Sequence, residues 1–289
     1  MSDLGNDGPE ELFPNDCETL CALGFSSLLA GDTVRARKFF QHSLALDPDY
    51  VFGYLGLAKS RLPGAGYIEI IKRIIAFLEP QRYVEIGVER GAVLGLFAPS
   101  TRVVGIDPEP RVGAGEILEN TSIYPQTSDD FFAENDLQSL LRGPFDLAFI
   151  DGLHTFEQAL KDFINLESCA TSTSVILIHD TLPLDRQTST SKRKTVFWTG
   201  DVWKIIPCLK QERPDLRVFT IPTYPAGLSV VAGLQPSSRV LAENLPSLMQ
   251  HYQELDLEEI ASRQEFFSLV DNNWSKIKNA LIQVLEKES

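Results

Sequence analysis

Tyr83-Val84-Glu85-Ile86-Gly87-Val88-Glu89-Arg90-Gly91 reads as a buried strand that breaks into a glycine loop. Two later runs have the same shape. Phe145-Asp146-Leu147-Ala148-Phe149-Ile150 stops on Asp151-Gly152-Leu153-His154, and Ser174-Val175-Ile176-Leu177-Ile178 stops on His179-Asp180. Ligands of open α/β sheets gather at the carboxyl ends of the strands. A glycine loop at the first such end suggests a nucleotide-like cofactor. Acids and imidazoles at the later ends suggest a reaction centre beside it.

Working outward, strands are expected at 82–87, 102–107, 121–125, 145–151, 174–179, 215–221 and 227–233. Helices are expected at 67–78, 91–97, 129–141, 155–168 and 200–211. This alternation predicts a doubly wound, mostly parallel, seven-stranded α/β sheet of Rossmann-like type. Only Pro222-Thr223-Tyr224-Pro225-Ala226-Gly227 separates the last two strands, too little for a helical crossover, so they should form an antiparallel hairpin.

The flanks are helical. Residues 1–12 read as a disordered leader. Over 13–62, Leu20, Leu23, Gly24, Ala36, Phe40, Ser43 and Pro48 fall at the spacing of a tetratricopeptide-like unit, with Gly31-Asp32 as its turn. Such helices offer a surface for a protein partner or a homodimer, or they pack as an appendage. Pro63-Gly64-Ala65-Gly66 is a linker, and the sheet domain occupies 67–234. Residues 235–289 carry apolar helical faces, including Leu241, Leu245, Leu248, Trp274, Ile277 and Leu281, and no catalytic signal.

Bulk composition narrows the function. The chain has 289 residues, 43% of them hydrophobic, and a formal net charge of −14. That charge repels phosphate backbones and argues against nucleic acid as a main partner. No apolar run approaches the roughly 18 residues of a membrane span, and the acidic start is unlike a secretory signal. A cytoplasmic location is expected. Four cysteines, Cys17, Cys21, Cys169 and Cys208, form no zinc pattern and are expected to be reduced.

The loop chemistry is more specific. Gly87 and Gly91 are four apart, unlike the G-x-G-x-x-G of a dinucleotide site. With Glu89 between them the loop suits a cation better than a pyrophosphate, and S-adenosylmethionine carries a sulfonium. Asp107, about 20 positions on at the end of the second strand, is placed for ribose hydroxyls. Ser128 and Asp129 follow the third strand and could accept from an adenine amino group, although Asp129 could instead cap its helix.

These residues in this order resemble the class I S-adenosylmethionine-dependent methyltransferases over residues 67–234. Glu85-Ile86-Gly87-Val88-Glu89-Arg90-Gly91 is similar to that family's first motif, and Asp107 to the acid at the end of its second strand. The resemblance implies cofactor binding by Glu85, Gly87, Gly91, Asp107, Ser128 and Asp129. Ile150-Asp151-Gly152-Leu153-His154 and Ile178-His179-Asp180 resemble the narrower group of metal-dependent O-methyltransferases of the cephamycin and macrolide-sugar type. Phe197-Trp198-Thr199-Gly200-Asp201-Val202-Trp203-Lys204 is similar to a bacterial group of such enzymes.

An alcohol is a poor nucleophile and needs a base, a Lewis acid or both. Asp151 and Asp180 end neighbouring strands and could share one Mg²⁺ or Mn²⁺. His154 could then take the proton. The resemblance adds His179 to Asp151 and Asp180 as a metal ligand, in a position where the family usually has an acid or amide. Asp151 could alternatively cap the following helix, a task open to Thr155 too.

Thr181 to Thr199 is long and polar, and carries Arg186, Lys192, Arg193 and Lys194. It reads as a lid over a small-molecule, sugar or glycan acceptor, or as a solvated loop. Trp198 or Trp203 could wall the acceptor site. Two other readings stay open: a non-catalytic cofactor-sensing or partner-binding module on the same fold, and a metal-free N- or C-methyltransferase.

Overall fold

The computed structural model describes residues 14–113 and 119–286. The leader expected at 1–12 lies outside the described residues. The seven strands are β1 (Arg82–Ile86), β2 (Arg102–Ile106), β3 (Thr121–Tyr124), β4 (Leu147–Ile150), β5 (Val175–His179), β6 (Arg217–Ile221) and β7 (Leu228–Ala232). They form one sheet in the order β3-β2-β1-β4-β5-β7-β6. Its first five strands run parallel, and β7 is antiparallel to both β5 and β6.

Burial explains the order. Leu-Ala-Phe-Ile of β4 is buried at every position, as a central parallel strand must be when both faces are covered. β3, an edge, is half-exposed. The helices are α1 (Cys17–Leu29), α2 (Thr33–Leu46), α3 (Val51–Arg61), α4 (Tyr67–Leu78), α5 (Ser128–Glu134), α6 (Leu137–Leu141), α7 (Phe156–Ser168), α8 (Ile205–Glu212), α9 (Val240–Gln253), α10 (Arg263–Phe266) and α11 (Trp274–Leu285). Alternate strand residues divide between two cores. Val84, Ile86, Ala148, Ile150, Ile176 and Ile178 pack with residues of α7, α8 and α9. Tyr83, Phe149, Val175 and Leu177 pack with Ile70, Ile71 and Ile74 of α4 and Ile277 and Leu281 of α11.

Three expected helices differ. The helix at 91–97 is a single 3-10 turn over Leu94–Leu96. The helix at 129–141 is two, because Asp136 caps a new start by accepting from the N–H groups of Gln138 and Ser139. That at 200–211 begins as a 3-10 turn, Val202–Lys204, before α8.

Two features brace the sheet domain. The Arg213 guanidinium, 2% exposed, donates to both oxygens of buried Glu167 at 2.7 and 2.9 Å, and to Asp215. The turn between β6 and β7 fixes two approaching segments. Ala226 O accepts from Leu182 N–H at 2.7 Å, and Tyr224 O accepts from Tyr67 N–H at 3.0 Å.

The chain divides into two compact units. One comprises residues 62–194 and 198–289 and holds the sheet; the other comprises 1–61 with Thr195–Phe197. In the latter, the Phe40 ring fills a slot that glycines leave open: a Cβ on Gly24 or Gly56 would lie 2.5 or 2.2 Å from it. Phe197 stacks on Tyr54 at 5.9 Å. The thiols of Cys17 and Cys21 donate to the backbone oxygen and hydroxyl of Ser43, each at 3.4 Å. No helix among the described residues is long and apolar enough to cross a membrane.

Candidate active site

The parallel strands bring four tips to one edge. At the first, Gly87 has φ +91°, and a Cβ there would lie 2.0 Å from Asp151 O at the tip of β4. Only glycine allows this approach. Gly91 also has positive φ, and its missing side chain faces Val112. At the tip of β2, Asp107 accepts from Glu89 N–H at 2.8 Å and from Glu109 N–H at 2.7 Å. A carboxylate has about four acceptor positions, so two remain for hydroxyls of a ribose. These groups fit a nucleoside lying across the tips of β1 and β2.

Glu85 is placed differently from a group facing that crevice. It is 2% exposed and accepts from Tyr83 O–H at 2.9 Å beneath the loop. Burial holds its carboxyl well above the ordinary range. Ser128 and Asp129 open α5, which Thr127 caps, so the capping alternative for Asp129 fails. Their side chains both accept from Gln158 Nε2, at 3.0 and 2.9 Å. Gln158 also donates to Asp162, a buried acid one turn further along α7. Sequence reasoning missed both, although they stand four apart on an amphipathic helix.

At the tips of β4 and β5, Thr155 caps α7. Asp201 also accepts from Phe156 N–H at 2.9 Å. Asp151 is therefore free for other chemistry. The ligand atoms of Asp151, His154 and Asp180 all lie within 4.8 Å of one another. His154 Nδ1 makes a close ion-pair contact with Asp180 Oδ2, and its Nε2 lies 4.0 Å from Asp151. The space they line is about 10 Å³, room for about one water or one bare ion. Two carboxylates and one imidazole suit a divalent ion of the Mg²⁺ or Mn²⁺ class.

His179 takes another place. It stands outside the three-residue group, with Nδ1 3.0 Å from Asp151 and 3.4 Å from Asp180, while its buried Nε2 has no partner among the described residues. Its ring packs 4.1 Å from that of Tyr67 at the start of α4. His179 Nδ1 thus stands within ion-pair reach of both carboxylates. Tyr67 carried no sequence signal beyond following a linker. Its hydroxyl is pushed up by burial, then by Asp151 and Asp180.

The charges are interlocked. Burial would raise Asp151, but the positive charge of His179, its hydrogen bond and the charge of His154 together hold the carboxyl below its usual range. Burial would lower His154, but the Asp180 carboxylate, and then Asp151, lift it to about 9. His179 is raised in the same way, chiefly by Asp151. His154 and Asp180 both have left-handed backbones, φ +58° and +59°. Each costs about 1–2 kcal/mol for a non-glycine residue. A strained backbone at a cluster of charged side chains is a mark of a functional centre.

The long segment 181–199 returns to this centre. A Cβ on Gly200 would lie 1.5 Å from His154 O, so the chain passes directly against that backbone. The Trp198 ring stacks on the His154 ring at 5.9 Å. Trp203 is 1% exposed and packs on Phe266 and Phe267. Of the two tryptophans, Trp198 walls the centre and Trp203 belongs to the core.

The family model described as a methyltransferase domain matches residues 84–181. No curated protein matches the chain. Among solved structures, Rv0187 from MTB in a cofactor-bound form is 16% identical, with 65% of this chain and 91% of that one covered and a TM-score of 0.47. The O-methyltransferase TomG from Streptomyces achromogenes, in complex with SAM, is 13% identical, with 58% and 79% covered and a TM-score of 0.44. An O-methyltransferase from Bacillus cereus, in complex with SAH, is 14% identical, with 75% and 99% covered and a TM-score of 0.43. The matched segment, about a third of the chain, runs from β1 to the root of the long loop and holds Gly87, Gly91, Asp107, Asp151, His154 and Asp180, so this part of the chain is similar to a methyltransferase domain.

Proposed function

We propose that the protein is an S-adenosylmethionine-dependent O-methyltransferase, assisted by Mg²⁺ or Mn²⁺, that acts on a hydroxyl of a small molecule, sugar or glycan. The reading rests above all on one observation: Asp151, His154 and Asp180 present ligand atoms within 4.8 Å of one another at the tips of adjacent strands. The bent backbone at Gly87 and the two open acceptor positions on Asp107 suit the nucleoside end of the donor. S-adenosylmethionine supplies an electrophilic methyl group on a sulfonium.

Asp151 and Asp180 would hold the divalent ion, which lowers the pKa of an acceptor hydroxyl. His179 Nδ1 stays within ion-pair reach of both carboxylates. His154 would take the hydroxyl proton. With no divalent ion on the carboxylates, the raised pKa makes His154 itself the cation, able to donate a proton and unable to accept one. The base role and the metal role therefore stand together. The direct His154–Asp180 contact favours a second reading, a metal-free N- or C-methyltransferase in which His154 is not the base. Exposed Leu29, Val34 and Phe52 on the tetratricopeptide-like helices suit contact with a protein partner or a second copy.

Turnover on hydroxyl acceptors should vanish with chelator and return with Mg²⁺ or Mn²⁺. Asp151→Ala should lower turnover at least about 10³-fold while S-adenosylhomocysteine affinity stays within about tenfold. Chelator-resistant turnover would establish the metal-free reading. Equal loss of turnover and cofactor affinity would make Asp151 a structural residue.

A further inference from the structure

A second cavity, of about 350 Å³, opens between segment 186–194, the 3-10 turn before α8, and the end of α9. Its size is that of a small-ligand site. Its walls are braced by internal ion pairs. Arg186 contacts Asp256 at 2.8 Å and Glu258 at 3.6 Å. Lys204, almost fully buried, donates to Gln253 O at 2.7 Å and lies 3.4 Å from Asp201.

Two cations are left over. Lys192 and Lys194 line the same cavity and have no carboxylate partner among the described residues. The cavity's two acids do not answer them: Asp256 is held by Arg186, and Glu254 forms no ion pair with either lysine among the described residues. Trp203, another lining residue, adds an unanswered donor. Trp203 is 1% exposed, and its indole N–H has no acceptor. A buried donor without a partner costs about 1–3 kcal/mol, a cost that an acceptor oxygen would remove.

The cavity adjoins the reaction centre. Val202 lines the small space beside Asp151 and Asp180, while the next residue, Trp203, lines the cavity. Trp198 joins them from above: its ring stacks on His154, and its indole N–H donates at 2.6 Å to Thr190 O, a residue of the cavity wall. The glycine loop and Asp107 are absent from this lining.

We propose that this cavity is the acceptor's anion subsite: it takes a phosphate, sulfate or carboxylate group carried by the methyl acceptor, held by Lys192, Lys194 and the Trp203 indole N–H. The proposal rests on the methyltransferase reading for its link to turnover, but binding of the anion can be measured without it. The enzyme's acceptors are then acidic sugars or similar anionic small molecules, with the reacting hydroxyl reaching past Trp198 to His154.

The test is an NMR titration of the full chain, following its three tryptophan indole N–H signals, with inorganic phosphate against chloride at equal ionic strength. The Trp203 signal should move saturably with phosphate. A Lys192→Gln/Lys194→Gln variant, altered only at exposed side chains, should bind phosphate at least tenfold more weakly and S-adenosylhomocysteine unchanged. A hexose phosphate should move the Trp198 signal as well, and the plain hexose should move neither. A Trp203 signal that stays still, equal phosphate affinity in the variant, or exclusion of hexose phosphates overturns the proposal. Failure of S-adenosylhomocysteine to bind the wild-type protein would instead sink the cofactor reading and leave the phosphate titration standing.

Discussion

Asp162→Asn should stabilise the protein, increasingly as pH rises from about 4 to about 6. Asp162 is 1% exposed on α7, beside the reaction centre. Burial raises its carboxyl to about 6, against hydrogen bonds from Ser128 and Gln158 that favour the charged form. The sign follows from linkage. The folded protein keeps this proton up to about pH 6, while the unfolded chain loses it near 3.8, so stability falls as pH rises through that window. The interval from 3.8 to about 6, at about 1.36 kcal/mol for each tenfold in proton affinity, is worth about 3 kcal/mol at neutral pH. The amide oxygen of asparagine can still accept from Gln158 and carries no charge. Urea unfolding at pH 7.5 should therefore show a gain of about 1–3 kcal/mol for the variant, shrinking below about 1 kcal/mol at pH 4.5. A gain that does not grow between those two pH values, or a variant less stable at pH 7.5, would refute the assignment of a buried, reluctantly ionised acid.

Two further outcomes are expected. Gly87→Ala would set a Cβ 2.0 Å from Asp151 O, on a backbone with φ +91°. It should destabilise by more than about 2 kcal/mol in thermal or urea unfolding and weaken S-adenosylhomocysteine binding at least about tenfold, since strands β1 and β4 must part. Arg213→Ala leaves Glu167, 4% exposed, without its partner, and should cost about 3–5 kcal/mol in the same unfolding assay.

Most of the sheet was legible because strand burial leaves a direct trace. The continuous apolar runs of β4 and β5 could only be interior strands, and the six residues between Ile221 and Leu228 excluded a crossover. Helix interiors were less so. Thr127 and Asp136 each start a helix by a side-chain cap, and the second start splits a stretch whose hydrophobic spacing alone runs unbroken. At the site, residues at strand ends could be found by counting, as with Asp107, Asp151 and Asp180. Side-chain direction could not. Glu85 turns under its loop to meet Tyr83, and His179 pairs with the two aspartates where the family resemblance implied a ligand. Tyr67 and Gly200 reach the centre from elements far away in sequence, and only tertiary packing shows them there.

The turn at Tyr224–Ala226 has a mechanical consequence. Because β7 folds back between β5 and β6, this turn lies at the reactive edge, where Ala226 O grips the first residues after Asp180 and Tyr224 O grips the start of α4. Leu182 is thereby clamped to the sheet, and a Cβ on Gly227 would lie only 2.4 Å from its Cβ. At the far end, Gly200 is wedged against His154. The two ends of the segment from Thr181 to Gly200 are thus both tied down beside the strand tips.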